Sequence, residues 1–258
     1  MLAKIELIRL LKRWEIYVAL LIGFAMIIIQ AITIYPENAN FMNSAYIHLT
    51  GFDFTGAGSN LYYFILPIMS GLAATSIYSE DKHQGLLNFI LMRKSKRVYL
   101  RINLMISFLV GGFVGAIPLI VEGAYFFTRY STTNVPADLF SAGGWVHNWF
   151  YTSPMSFWWM SILIVFLYSG LFSILGIACS YVAKRKKVEM AFPFLVVAAS
   201  FLISNYAGID NLGITYILPP TFSNDYVGSQ YFLIGIFLLG LLSVLLVTAF
   251  EGKRDEVD

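Results

Sequence analysis

Six stretches of this chain run for about twenty residues with few or no charges, separated by polar or turn-forming segments. They are 15 to 34 (EIYVALLIGFAMIIIQAITI), 60 to 78 (NLYYFILPIMSGLAATSIY), 102 to 127, 157 to 182, 188 to 206 and 230 to 250. A hydrocarbon core of about 30 Å is crossed by roughly 20 apolar residues in a helix, so each stretch predicts one membrane-spanning helix. Ahead of the first, Leu7, Leu10, Leu11 and Trp14 follow i, i+3, i+4, i+7 spacing, while Lys4, Arg9, Lys12 and Arg13 fall largely elsewhere on the helical wheel. That pattern predicts an amphipathic helix lying in the interface and feeding into the first span; the competing expectation is a frayed extension of that span. The expected fold is all-α: a polytopic membrane protein with six transmembrane helices and an N-terminal interfacial helix, forming one domain over residues 1–258.

Polar and helix-breaking positions within the spans are few. Pro67, Pro118 and Pro193 interrupt the second, third and fifth, and each removes a backbone hydrogen bond and tends to kink its helix. Gly111 and Gly115 in SFLVGGFVGAIP give a small-xxx-small face for close helix approach, within one subunit or along a dimer seam. Glu122 is the one carboxylate well inside a predicted span, where an ionised side chain costs on the order of 3 kcal/mol by insertion scales. It is the candidate substrate-path residue; its competing roles are a structural pair with a partner such as Arg129, or a hydrated position near the headgroups. The connections 128 to 156 (with SAGGWVHNWFYTSPMSFWW) and 207 to 229 (with GITYILPPTFSNDY) are aromatic or apolar. They predict short helices or re-entrant elements, serving as interfacial anchors or facing substrate.

Composition and charge orient this pattern. Of 258 residues, 58% are hydrophobic and 12% charged, against about 25% charged in an average soluble domain. The net charge of +2 gives no reason to expect nucleic acid as a partner. Lys4, Arg9, Lys12 and Arg13, then Lys82, Arg93, Lys94, Lys96, Arg97 and Arg101, then Lys184, Arg185, Lys186 and Lys187, then Lys253 and Arg254 fall on one side of a six-span threading. Of the 17 basic residues, Arg129 alone falls on the other. The positive-inside rule therefore puts both termini in the cytoplasm. The start, MLAKIELIRLLKRWEIY, shows no small-residue cleavage site and is expected to be retained. The expected location is the cell membrane, of a bacterial kind.

Residues for the common catalytic sites are missing. There is no G-x-x-x-x-G-K-[ST] phosphate loop, no H-E-x-x-H helix and no G-x-S-x-G turn. The lone Cys179 forms neither a disulfide framework nor a thiolate cluster. His48 and His147 fall on the side opposite His83, and two histidines without further ligands make a weak metal site. No enzyme activity, metal or cofactor is expected of this chain itself.

One connection carries more pattern than topology needs: SEDKHQGLLNFILMRKSKRVYLR, residues 79 to 101. Glu80 and Asp81 stand near the start of a predicted short helix, where carboxylates favour the positive end of its dipole. Leu86, Leu87, Ile90 and Leu91 form an apolar face, followed by basic residues from Arg93 to Arg97. Such a face docks into a groove on another protein or rests on lipid. The order Glu80, Gly85, Leu86, Leu87, Ile90, Leu91, Arg93, Arg97, Arg101 resembles the first cytoplasmic connection of ABC transporter permeases of the type-2 exporter class. There, an acidic residue after the second span precedes a glycine, a leucine pair, a basic turn and a basic residue opening the third span. Leu86 and Lys94 depart from the threonine and proline often found in that family.

The resemblance implies a membrane subunit without a nucleotide-binding domain, paired with a second permease, like or unlike, and with separate ATPase subunits that bind ATP and Mg. It implies that residues 79 to 101 contain a coupling helix seated on the ATPase, with Glu80, Asp81, Gly85, Leu86, Leu87, Ile90, Leu91, Arg93 and Arg97 as the coupling residues. It also implies export, and the aromatic outer loops favour an amphipathic peptide, lipid or hydrophobic drug as cargo. The alternative is a non-transporting membrane immunity or sensor module whose cytoplasmic helix sits on lipid.

Overall fold

Each long apolar run is helical over nearly all of its described residues, as a backbone without water to bond requires. The computed structural model describes residues 2–34, 43–52, 56–75, 80–81, 84–92, 96–133, 135, 145–180, 186–207, 218–220, 235–236 and 238–243. In chain order they form α1 (Leu2–Leu11), α2 (Trp14–Thr33), α3 (Ala57–Ala74), α4 (Leu86–Leu91), α5 (Lys96–Arg129), α6 (Trp145–Thr152), α7 (Pro154–Ser180) and α8 (Lys186–Ala207), with a 3-10 turn at Tyr46–His48. Among the described residues the sole strand-like pairing is one bridge between Ser44 and Ser131.

Among the described residues, four helices are long and apolar enough to cross a membrane: α2, the Val98–Arg129 part of α5, α7, and the Lys187–Tyr206 part of α8. The helix expected over 60 to 78 is present as α3 but begins at Ala57 and is 18 residues long, with Ser59, Asn60, Tyr62 and Tyr63 in its first half. Among the described residues it is not one of those four. The span expected over 230 to 250 lies outside the described residues except for 235–236 and 238–243, which are helical. Helices α3, α5 and α8 run through Pro67, Pro118 and Pro193.

The N-terminal helix is separate from the first span. Arg13 is extended, at φ −79° and ψ 135°, so the backbone breaks between α1 and α2. The two faces of α1 differ: Glu6 and Leu10 are buried, while Leu7, Ile8 and Leu11 are exposed, as is Trp14 just beyond the break.

Enclosure separates an inner pair of helices from the flanks. The most apolar window of α7 is 67% buried and that of α5 56%, against 22% for both α2 and α8. Helix α5 packs most extensively on α7, α3 lies against both, and α2 and α8 flank this core. The seam is made by small residues. A Cβ at Gly111 would strike Ser173, and one at Gly115 would strike Ser169. At that approach Ser169 donates to the Gly111 carbonyl at 2.6 Å and lies 2.6 Å from the Ser70 hydroxyl. Ser173 donates to the Ser70 carbonyl at 3.0 Å and Tyr62 to the Gly115 carbonyl at 2.5 Å. Interhelical bonds of this kind contribute about 0.6 kcal/mol each in membrane bundles. The Gly111–Gly115 face is therefore used inside the subunit, against α7 and α3.

Helices α3 and α8 meet as closely. A Cβ at Gly71 would meet the Met190 carbonyl oxygen, a backbone atom that cannot rotate away. Gly71→Ala is expected to cost about 1–3 kcal/mol through overpacking. Heating in detergent and scoring the monodisperse fraction by gel filtration measures this as a lower midpoint.

The length of α5 positions everything at one end of the bundle. Its 34 residues extend about 51 Å, well beyond a hydrocarbon core of about 30 Å. The excess is mostly at its N-terminus, where helix starts at Lys96 rather than at the expected 102. This overhang gives α4 its seat: Leu87 and Ile90 pack against Tyr99 and Leu100. The end carrying α1, α4 and the start of α5 is called the near end below, and the opposite one the far end.

Candidate functional site

At the near end, α1 is clasped to the segment that follows α3. Residues 80–81 are helical, and the Gln84 N–H donates to the Glu80 carbonyl at 2.9 Å. Gly85 then takes φ +72°, a left-handed conformation that favours glycine and breaks the helix before Leu86. Glu80 and Asp81 therefore sit in a separate helical turn ahead of α4 rather than at its N-terminus, and their charges meet arginines. Arg9 of α1 bonds Asp81 at 2.6 Å and Glu6 at 3.0 Å, and Arg13 pairs with Glu80. Tyr99 of α5 donates to the second Asp81 oxygen at 2.5 Å. Asp81 is fully buried, so one carboxylate joins three elements: α1, the turn before α4, and α5.

The electrostatics follow from this packing. The bond to Asp81 holds the Arg9 guanidinium in its charged form above its ordinary range. Burial pushes the Glu6 carboxyl above its ordinary value of 4.5, and Arg9 offsets part of that rise. A carboxylate that binds its proton more tightly folded than unfolded costs stability while ionised, and the cost shrinks as pH falls below the folded pKa and is gone below the unfolded one. Glu6→Gln, which keeps an acceptor for Arg9, is expected to raise the melting midpoint slightly at pH 7. That gain should disappear towards pH 4.5, which melting curves across the pH range check.

Helix α4 divides its apolar residues between two sides. Leu87 and Ile90 point into the bundle, against Tyr99 and Leu100. Leu86 at 37%, Phe89 at 66% and Met92, just past the helix end, at 80% exposure line the other side at i, i+3, i+6 spacing. Of the face expected from sequence, Leu86 is outward and Leu87 and Ile90 hold the helix in place. Phe89 and Met92 replace the inward pair on the available surface. Arg93 lies outside the described residues, as do the side chains of Leu91 and Arg97.

At the far end, Glu122 is buried and its carboxylate is occupied. The Thr50 N–H lies 3.1 Å from both carboxylate oxygens, and the Thr50 hydroxyl donates to one of them at 2.6 Å. Arg129 turns elsewhere, donating to the Tyr125 hydroxyl at 2.5 Å with its guanidinium 5.8 Å from that ring. Next to Thr50, the Gly51 N–H donates to Ser59 at 2.9 Å, and the Ser59 N–H to Gln30 at 2.8 Å. A polar chain thus runs from α2 through α3 and residues 50–51 to α5.

Arg9 and Arg13, expected from the sequence only to mark the polar side of an amphipathic helix and the cytoplasmic side of the membrane, are the partners of Asp81 and Glu80. Their i, i+4 spacing, beside an acidic pair in an otherwise basic connection, was the available signal. Comparisons with family models, with characterised proteins and with solved structures give no match to this chain.

Proposed function

We propose that this chain is the membrane-spanning permease subunit of an ATP-driven ABC exporter, with the near end in the cytoplasm. In this reading the polypeptide crosses the bilayer six times, through α2, α3, α5, α7, α8 and a helix within 230 to 250. It pairs with a second permease subunit and with two ATPase subunits that carry ATP and Mg. The cargo is an amphipathic peptide, lipid or hydrophobic drug.

The observation that carries this reading is the geometry of α4. An exposed apolar row, Leu86, Phe89 and Met92, stands on a short helix held from behind by Leu87 and Ile90. The turn before it is clasped by Arg9 and Arg13. An apolar helix face that inserts into a partner's groove is a recurrent recognition mode, and a rigid mount lets it transmit force. The clasp makes α1, the turn at 80–81 and the start of α5 one mechanical unit. A push on α4 then reaches the long α5 directly and α7 through the glycine–serine seam. The sequence contains no phosphate loop, so the energy source belongs to the partner.

The test is purification of the tagged full chain from its native membranes in mild detergent. The expected result is stoichiometric recovery of a protein carrying the G-x-x-x-x-G-K-[ST] motif. Recovery of the chain with no such protein, under conditions that keep other permease complexes intact, returns the function to a non-transporting membrane module.

A further inference from the structure

Residues 43–52 lie across the far end of the bundle. At one side the Ala45 N–H donates to the Ser131 carbonyl and the Ser131 N–H to the Asn43 carbonyl, both at 3.0 Å. At the other side Thr50 caps Glu122 and Gly51 bonds Ser59. Between these ties the segment presents rings. Tyr46 is edge-on to Phe127 and Phe150, His48 stacks on Tyr130 with centroids 4.2 Å apart, and Phe52 packs on Phe150 and Phe157. Tyr46, Ile47, Leu49 and Phe52 are all buried although their only regular structure is one 3-10 turn. Gly51, at φ +90°, turns the chain immediately after Thr50, with the Tyr63 hydroxyl and Pro220 on the side where a Cβ would stand.

We propose that residues 43–52 are a strap closing the far end of the bundle, and that Glu122 is its latch. A permanent seal needs no carboxylate at this position; an apolar side chain would serve. Glu122 makes closure conditional. With Thr50 seated, both carboxylate oxygens are bonded; with the strap lifted, water bonds them. A half-open strap excludes water while withdrawing Thr50, which leaves a buried carboxylate without donors, the most costly arrangement of the three. The latch thus favours two positions over a continuum. This inference goes beyond the permease reading and requires no ATPase.

The test uses the full chain in lipid nanodiscs, where both faces meet solvent. The single cysteine is removed by Cys179→Ala and a reporter is placed under the strap by Leu49→Cys. The rate of reaction with a charged, membrane-impermeant maleimide reads strap opening, and Thr133→Cys, at an exposed position, is the control. Glu122→Ala is expected to raise the Leu49→Cys rate at least tenfold and leave the Thr133→Cys rate unchanged. Thr50→Val keeps the carboxylate and the backbone bonds while losing the hydroxyl; it is expected to give a smaller rise, of at least threefold, and decides the matter where Glu122→Ala does not purify. Equal Leu49→Cys rates with and without the substitution, or a rise shared by Thr133→Cys, overturn the latch.

Discussion

Arg9→Asp is expected to lower the stability of the folded chain by about 3 kcal/mol or more, as loss of one partner from a buried ion pair does. Arg9 is the cation for two buried carboxylates, Glu6 and Asp81, and its replacement would leave three acidic groups together. The low end of the usual range applies because the Arg9 side chain is itself 33% exposed, so water relieves part of the loss. Arg9→Lys should recover only part of the difference, since a point charge does not reproduce the fork that bonds Glu6 and Asp81 at once. The exchanged pair Arg9→Asp with Asp81→Arg restores the attraction but loses the Tyr99 bond, so it should fall between Arg9→Asp and wild type. Melting midpoints of the four proteins in one detergent measure the order. Equal midpoints for wild type and Arg9→Asp would remove the clasp from the proposed coupling.

On the permease reading proposed above, Phe89→Asp is expected to abolish association with the proposed ATPase partner while leaving the chain folded. Phe89 is the central residue of the exposed row and two-thirds exposed, so an aspartate there disturbs nothing behind it. Loss of a central aromatic anchor typically costs about 2 kcal/mol or more in binding, roughly thirtyfold in affinity, and a charge in an apolar groove adds to that. Ile90→Asp is the informative contrast. It faces Tyr99 and Leu100, so it should lower the melting midpoint as well as association. If the two substitutions weakened binding equally and neither changed the midpoint, the division of α4 into an inward and an outward side would be wrong.

The helices were legible because one physical requirement, apolar length, produces them. Helices α2, α5, α7 and α8 fall where the apolar runs do. Boundaries moved where side-chain polarity and backbone preference part company. Lys96, Arg97 and Arg101 are too polar for a span, yet nothing in them stops a helix, so α5 extends through them. The glycines of α5 showed close packing without showing against what; that became clear only from Ser169 and Ser173 on α7. Residues 43–52 were the largest omission. Their burial depends on rings from α5, α6 and α7 and on one carboxylate 72 positions away from Thr50, and no local period records such partners. In residues 79 to 101 the composition was readable and the facing was not. Gly85 adopts a positive φ, which separates the acidic pair from α4 and turns Leu86, Phe89 and Met92 outward.

The most direct measurement for the permease reading is ATP hydrolysis by the assembly recovered on the tagged chain from native membranes, wild type beside Phe89→Asp. The reading predicts vanadate-sensitive hydrolysis that co-elutes with the wild-type chain and is lost, along with the ATPase band, from an equally folded Phe89→Asp protein. Wild-type chain eluting without hydrolysis, or Phe89→Asp retaining the same activity per chain, would contradict it.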